Sequence, residues 1–236
     1  MPEPVVLLPS LGRGASDFDA LVTVLSKAGH RAIALEPLPS APDGVTLHDL
    51  AAEVVGAMDA LSLDRVHLVG HAFGQRLARC VAADHPGRVL SLTMLAAGGM
   101  TPIDEDIARS LMLCFDESLS ADEHLLHVRR VFFAPGNDAA VWAEGWLPEV
   151  AAYQAAAARN TPVEDWQHAV APHVLVLQAM QDACAVPANA QLYVDAHRDV
   201  ARLVEINGAG HAMLPERPVA IAAALLDFLA DIEATG

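Results

Sequence analysis

Val66-His67-Leu68-Val69-Gly70-His71-Ala72-Phe73-Gly74 runs directly into Gln75-Arg76-Leu77-Ala78-Arg79-Cys80-Val81-Ala82-Ala83, and the two halves obey different periodicities. The opening residues, apolar except for His67, read as a buried strand. Leu77, Cys80 and Val81 then mark one face of a helix. Between them, Gly70-His71-Ala72-Phe73-Gly74 fits a tight turn whose central residue is held in a strained conformation. Glycine is needed on either side because side chains there would collide with the neighbouring strand and helix backbones. Strand, Gly-flanked turn and helix together make a seat for a nucleophile, ordinarily the serine of a Gly-x-Ser-x-Gly pattern. Here the seat holds Ala72, and a methyl group cannot attack a carbonyl.

Outward from this segment, strands and helices alternate. Strands are expected at Val5–Leu8, Arg31–Leu35, Val89–Leu95, His173–Gln178 and Ala201–Ile206, and helices near Asp17–Ala28 and at the C-terminus. Thr46, with Asp49 three residues on, reads as the N-cap of a helix running through Leu63. Such alternation predicts an α/β protein with a mostly parallel sheet covered on both faces and ligands at the carboxyl ends of its strands. The pattern breaks over residues 100–167, which show only helical stretches: Ile107–Phe115, Asp122–Phe133, Asp138–Trp146 and Glu149–Asn160. The chain therefore divides into a core, residues 1–99 and 168–236, and a helical insertion, residues 100–167.

Two further residues complete a chemical order. Asp182 follows the strand His173–Gln178, and His211 ends the Gly-rich loop Ile206-Asn207-Gly208-Ala209-Gly210-His211. Nucleophile position, then acid, then histidine is the order of the α/β-hydrolase superfamily, which the chain resembles over nearly its whole length. Val5-Val6-Leu7-Leu8-Pro9-Ser10-Leu11-Gly12 resembles that family's first core strand and oxyanion loop, with Pro9-Ser10 where His-Gly is common. The resemblance implies a sheet of roughly six to eight strands and a lid formed by the helical insertion. It implies His211 as general base and Asp182 as the acid that orients it, with Asp104 or Glu105 as the fallback acid. It also implies an oxyanion hole from the main-chain N–H of Phe73 and one in the Ser10–Leu11 region. Phe115, Trp142 and Trp146, in the insertion, are expected to line an apolar substrate pocket. To act as base, His211 must be largely neutral at working pH, and its reference pKa lies near 6.5.

Ala72 leaves three readings open. It replaces a serine in an otherwise ordinary hydrolase of carboxylic esters or lactones; or His211 and Asp182 activate water directly or run a lyase or isomerase reaction; or the protein binds a ligand without turning it over. Ser10 stands on the oxyanion side and is poorly placed to attack, and His71 is expected to be structural. Cys80, Cys114 and Cys184 have no activating base at fixed spacing.

Composition narrows the field. A chain of 236 residues suits one domain with a sizeable core. With 14 basic against 30 acidic residues, the net charge of −16 argues against nucleic acid as a partner. It also disfavours an anionic substrate unless an arginine such as Arg13 or Arg76 lines the site. The expected partner is a small, neutral, apolar molecule, with a homo-oligomer left open. No apolar run reaches the roughly 18 residues of a membrane span, no basic leader precedes Val5, and three cysteines without metal-like spacing suit a reducing compartment, so the expected location is cytoplasmic. No cofactor is expected, since no Gly-rich phosphate loop accompanies an acidic ribose partner. Nor is a metal: Cys-x-x-Cys is absent, His67 and His71 straddle a strand and a turn, and His124 and His127 lack a third ligand.

Overall fold

The computed structural model describes residues 2–235. Six strands, β1 (Val5–Leu8), β2 (Ala32–Ala34), β3 (Val66–His71), β4 (Val89–Leu95), β5 (His173–Ala179) and β6 (Ala201–Ile206), form one sheet in the order β2-β1-β3-β4-β5-β6. Every pairing is parallel. The elbow strand β3 lies centrally, with Leu8 opposite Gly70 and His71 opposite Leu95. That register brings the ends of three core strands to one edge of the sheet.

Alternation along the strands sorts side chains into two layers, because successive residues of a strand point to opposite faces. Val6, Leu8, Leu68, Leu92, Val174 and Val176 pack beneath α2 (Leu47–Ala60), α3 (Phe73–Asp84) and α7 (Ala188–Ala196). Val5, Leu7, Val69, Leu95, Leu175 and Leu177 face α1 (Asp19–Lys27) and α8 (Pro218–Thr235). A strand covered on both sides must be apolar throughout, which is why β1 and β3 lack the polar/apolar alternation of a half-exposed strand. Thr46 caps α2 as expected: its hydroxyl accepts from Asp49 N, and the Asp49 carboxylate accepts in return from Thr46 N.

Between β4 and β5 the described residues contain no strand. They form α4 (Glu105–Leu113), α5 (Ala121–Phe132) and α6 (Pro148–Asn160), with short 3₁₀ turns at Ala139–Trp142 and Val163–Asp165. The helix expected over Asp138–Trp146 is only the first of those turns. Gly145 has a φ of 82°, and Pro148 opens a fresh helix where its missing N–H costs nothing.

Two histidines inside this fold make stability depend on pH. His67 pairs through Nδ1 with Ser91 Oγ at 2.8 Å, and His71 is fully enclosed at the end of β3. Burial pushes both pKa values down to about 4. An unfolded histidine titrates near 6.5, so below that pH the unfolded chain takes up protons that these folded residues refuse. The contribution of these two histidines should therefore be full above about 6.5 and fall as pH drops toward about 4, by on the order of 3 kcal/mol each. Urea midpoints at stepped pH should show this slope, and His67→Gln should remove about half of it. A flat profile across the window would contradict the assignment.

Candidate active site

Ala72 sits between β3 and α3 with φ 50° and ψ −107°, a conformation that L-residues with a Cβ rarely adopt. Its own N–H donates to Leu95 O at 2.9 Å and its carbonyl accepts from Gln75 N at 3.2 Å. The flanking glycines are dictated by contact. A Cβ at position 74 would stand 2.6 Å from both Leu8 C and Pro9 O, and one at position 70 would meet Gln75 Cα at 2.5 Å. These are backbone atoms of β1, its following loop and α3, which cannot give way independently. Gly74→Ala should accordingly cost more than about 3 kcal/mol in a denaturant titration; a loss below about 1 kcal/mol would show that the turn is slack.

Phe73 opens α3, so its N–H has no intrahelical acceptor. Among the described residues neither it nor Leu11 N–H is given an acceptor by the protein. Both residues line one cavity of about 640 Å³ together with Ser10, Ala72 and His211. Two unpaired main-chain donors beside a strained turn can stabilise an oxyanion.

The acid and the histidine meet. His211 Nδ1 lies 2.8 Å from Asp182 Oδ2, and both side chains are almost wholly buried. Asp182 Oδ1 accepts from Cys184 N at 2.8 Å and Ala185 N at 2.7 Å, so three N–H donors converge on one carboxylate. This fixes the neutral tautomer of His211: Nδ1 carries the hydrogen and Nε2 is left as the acceptor toward the cavity. Burial by itself pushes the His211 pKa down. The Asp182 charge and the neighbouring Cys184 sulfur outweigh it, and the net position is well above 6.5. A base here therefore reaches its neutral form at a higher pH than the 6.5 reference implies. A buried carboxylate in contact stabilises the imidazolium more than burial penalises it.

The loop carrying His211 is tied down from three sides. His71 Nε2–H donates to the His211 carbonyl at 2.8 Å, which makes His71 a positioning residue. Ala212 N donates to Phe132 O at 2.7 Å, anchoring the loop to the end of α5. Gly210 lies so close to that end that a Cβ there would sit 2.7 Å from both Phe132 O and Ala134 N. The buried carboxylate of Glu216 spans the junction, accepting from Gly210 N and from Ala134 N at 2.8 Å each. Glu216 escaped sequence analysis because a single acid before a Pro-capped helix carries no pattern. Only its partners reveal it.

Other expectations are redirected. Phe115, Trp142 and Trp146 do not line the cavity that holds Ala72 and His211. Trp146 meets Phe115 and Trp142 edge-on, Trp142 meets Phe132 edge-on, and Arg13 stacks over Trp142 and Trp146 at 4.4 and 4.9 Å. Arg13 is spent there too, paired with Asp17 at 2.7 Å and donating to Glu144 O. A guanidinium buried beside β1 needs those ring faces, so the rings turn inward. Phe132, Leu111, Met112 and Ile103 supply the apolar lining instead. Asp104 caps α4, accepting from Asp106 N and Ile107 N, and neither it nor Glu105 lines the cavity or pairs with His211, whose carboxylate partner is Asp182. Cys184, read as lacking a base, stands on the cavity wall beside His211. His48, Cys80 and Asp84 place ligand atoms within 4.8 Å of one another, outside the cavity. Burial pushes the Cys80 thiol up to about 12, which opposes the thiolate a metal would need.

A sequence model described as "Alpha/beta hydrolase family" matches residues 5–224. The chain belongs to this family. A relative named as a carbamate hydrolase, RutD of Variovorax paradoxus (strain S110), is 30% identical over 257 aligned positions, covering 99% of this chain and 94% of the relative. Among alpha/beta hydrolase structures, the enol-lactonase from Burkholderia xenovorans LB400 superposes with a TM-score of 0.81 at 21% identity, covering 98% of this chain and 92% of the other. The meta-cleavage product hydrolase CumD from Pseudomonas fluorescens IP01, solved as a serine-to-alanine mutant, gives 0.78 at 19% identity over 97% and 91%. At those identities the structures speak for the fold alone. No helix among the described residues is long and apolar enough to cross a membrane.

Proposed function

We propose that this alpha/beta hydrolase cleaves a small to medium carboxylic ester or lactone by general-base catalysis, with His211 activating water because Ala72 offers no attacking oxygen. The observation that carries this reading is the His211–Asp182 pair, 2.8 Å apart and buried at a cavity that also presents two unpaired N–H donors. Nothing in folding demands a buried imidazole–carboxylate pair at a cavity wall, and leaving either partner alone there would be costly. Water attacks the substrate carbonyl while its proton passes to His211 Nε2, and the oxyanion forms against Phe73 N–H and Leu11 N–H. Collapse breaks the carbon–oxygen bond of the ester, and the imidazolium returns the proton to the departing alkoxide. The products are a carboxylic acid and an alcohol, or a hydroxy acid from a lactone. The helical segment 100–167 acts as the lid, contributing Phe132, Leu111 and Met112 to the cavity. Such hydrolysis is slower than acyl-enzyme chemistry, because the oxyanion hole and binding alone sustain only roughly 10³–10⁴ over water.

Hydrolysis of p-nitrophenyl acetate at pH 9 by the chain and its His211→Ala variant tests this. Turnover should be measurable in the first and absent in the second. Equal background rates in both would remove catalysis and leave ligand binding.

A further inference from the structure

The cavity inverts the charge of the molecule around it. The chain carries 30 acidic and 14 basic residues, yet the cavity lining holds Arg76, Arg159 and His211 and not one carboxylate. Arg159 is an exposed residue near the end of α6 and stands at the rim. Arg76 is different. It is half-buried on α3, one helical turn beyond Ala72, and its guanidinium lies over Trp166 at 5.6 Å. Among the described residues it forms no ion pair and no hydrogen bond, so its N–H donors meet no protein acceptor. Its neighbour Arg79 shows the contrast. That side chain is fully enclosed and donates to Gly98 O at 2.6 Å and Gln167 O at 2.8 Å, spending its charge on the scaffold. Burial disfavours the Arg76 charge; the nearby Cys184 sulfur offsets this only in part, and no carboxylate of the protein pairs with it.

Resting on the hydrolase reading, we infer that Arg76 is the anion-binding end of the cavity and that the substrate carries a carboxylate there besides the carbonyl that reacts at Ala72 and His211. A guanidinium presents a planar fork of donors matched to a carboxylate, and such pairs are strong where water is partly excluded. The ligand class is thus an ester or lactone that also bears a free carboxylate. The negative net charge of the chain then opposes loosely held anions, while the cavity selects one that reaches Arg76.

Monomethyl adipate and dimethyl adipate differ in that one charge and serve as the probe pair. Calorimetric titration of the full chain at pH 7 should give the half-ester at least roughly tenfold tighter binding. Arg76→Met should bring the ratio close to one, and Arg76→Lys should keep part of it, since the charge survives without the fork. Circular dichroism establishes that each variant is folded, and Arg76→Gln replaces the methionine variant if it is not. Equal affinities in the parent, no binding of either ester, or a preference that survives loss of Arg76 would overturn the assignment. The two readings fail separately. His211-dependent hydrolysis of dimethyl adipate at pH 9 without any half-ester preference would sink the carboxylate site alone. Arg76-dependent binding without hydrolysis would sink the hydrolase reading and leave an anion-binding cavity.

Discussion

Ala72→Ser is expected to raise hydrolysis of a short-chain p-nitrophenyl ester by at least roughly 10³, toward the roughly 10⁶ that a triad loses with its nucleophile. The backbone at this position already holds the strained conformation that aims a side chain from the turn, with φ 50° in place of a relaxed value. Ala72 lies on the cavity that His211 also lines, and Phe73 N–H and Leu11 N–H are free of protein acceptors. In the variant the serine Oγ would bond to the substrate carbonyl carbon while its proton moved to His211 Nε2. The leaving alkoxide would take that proton, and water would then cleave the acyl-enzyme by the same path. Because acylation precedes deacylation, p-nitrophenol should appear in a burst, and the variant should be labelled by a fluorophosphonate that leaves the parent untouched. A serine variant with the parent's rate and no labelling would mean that the turn no longer serves covalent chemistry, and the general-base reading would then rest on the parent alone.

The fold was readable because its signals are local and redundant. Each buried strand is a short apolar run next to a capped or Gly-marked boundary, and the Thr46–Asp49 capping box is written in four consecutive residues. The elbow was readable for the same reason: two glycines four residues apart leave few other turns. Asp182 and His211, 29 residues apart, were found only through the order in which they follow their strands. What escaped was three-dimensional. Trp142 and Trp146 look like pocket residues in any list of aromatics, and only the position of Arg13 shows that their faces are taken. Glu216 bridges the His211 loop and the end of α5 across 82 residues, a distance no periodicity reports. The protonation of His211 escaped as well, since it depends on a balance between burial and the Asp182 charge that sequence order cannot weigh.

That balance sets the second large effect. A general base works only when neutral, so turnover by the parent or its Ala72→Ser variant should climb with pH and level off only past an inflection well above 6.5. Asp182→Asn removes the charge that holds the imidazolium in place and leaves burial, which acts in the opposite direction. With only the Cys184 sulfur left to oppose burial, the inflection should move down. The variant would thus hold more of its histidine in the neutral form at pH 7, though as a weaker base. Turnover in its plateau should nonetheless fall by on the order of 10⁴, because asparagine does not fix the tautomer that leaves Nε2 unprotonated and cannot stabilise the imidazolium formed during reaction. Inflection and plateau thus respond differently, which a merely structural role for Asp182 would not produce. Loss of folding would remove the whole profile; loss of a hydrogen bond alone would lower the plateau without shifting the inflection by more than a few tenths of a pH unit. His211→Ala should leave no inflection at all. A pH–rate series on the three proteins, read from pH 5 to 10, separates these outcomes. An unshifted inflection in Asp182→Asn would show that another group titrates, and His211 would lose its place as the base.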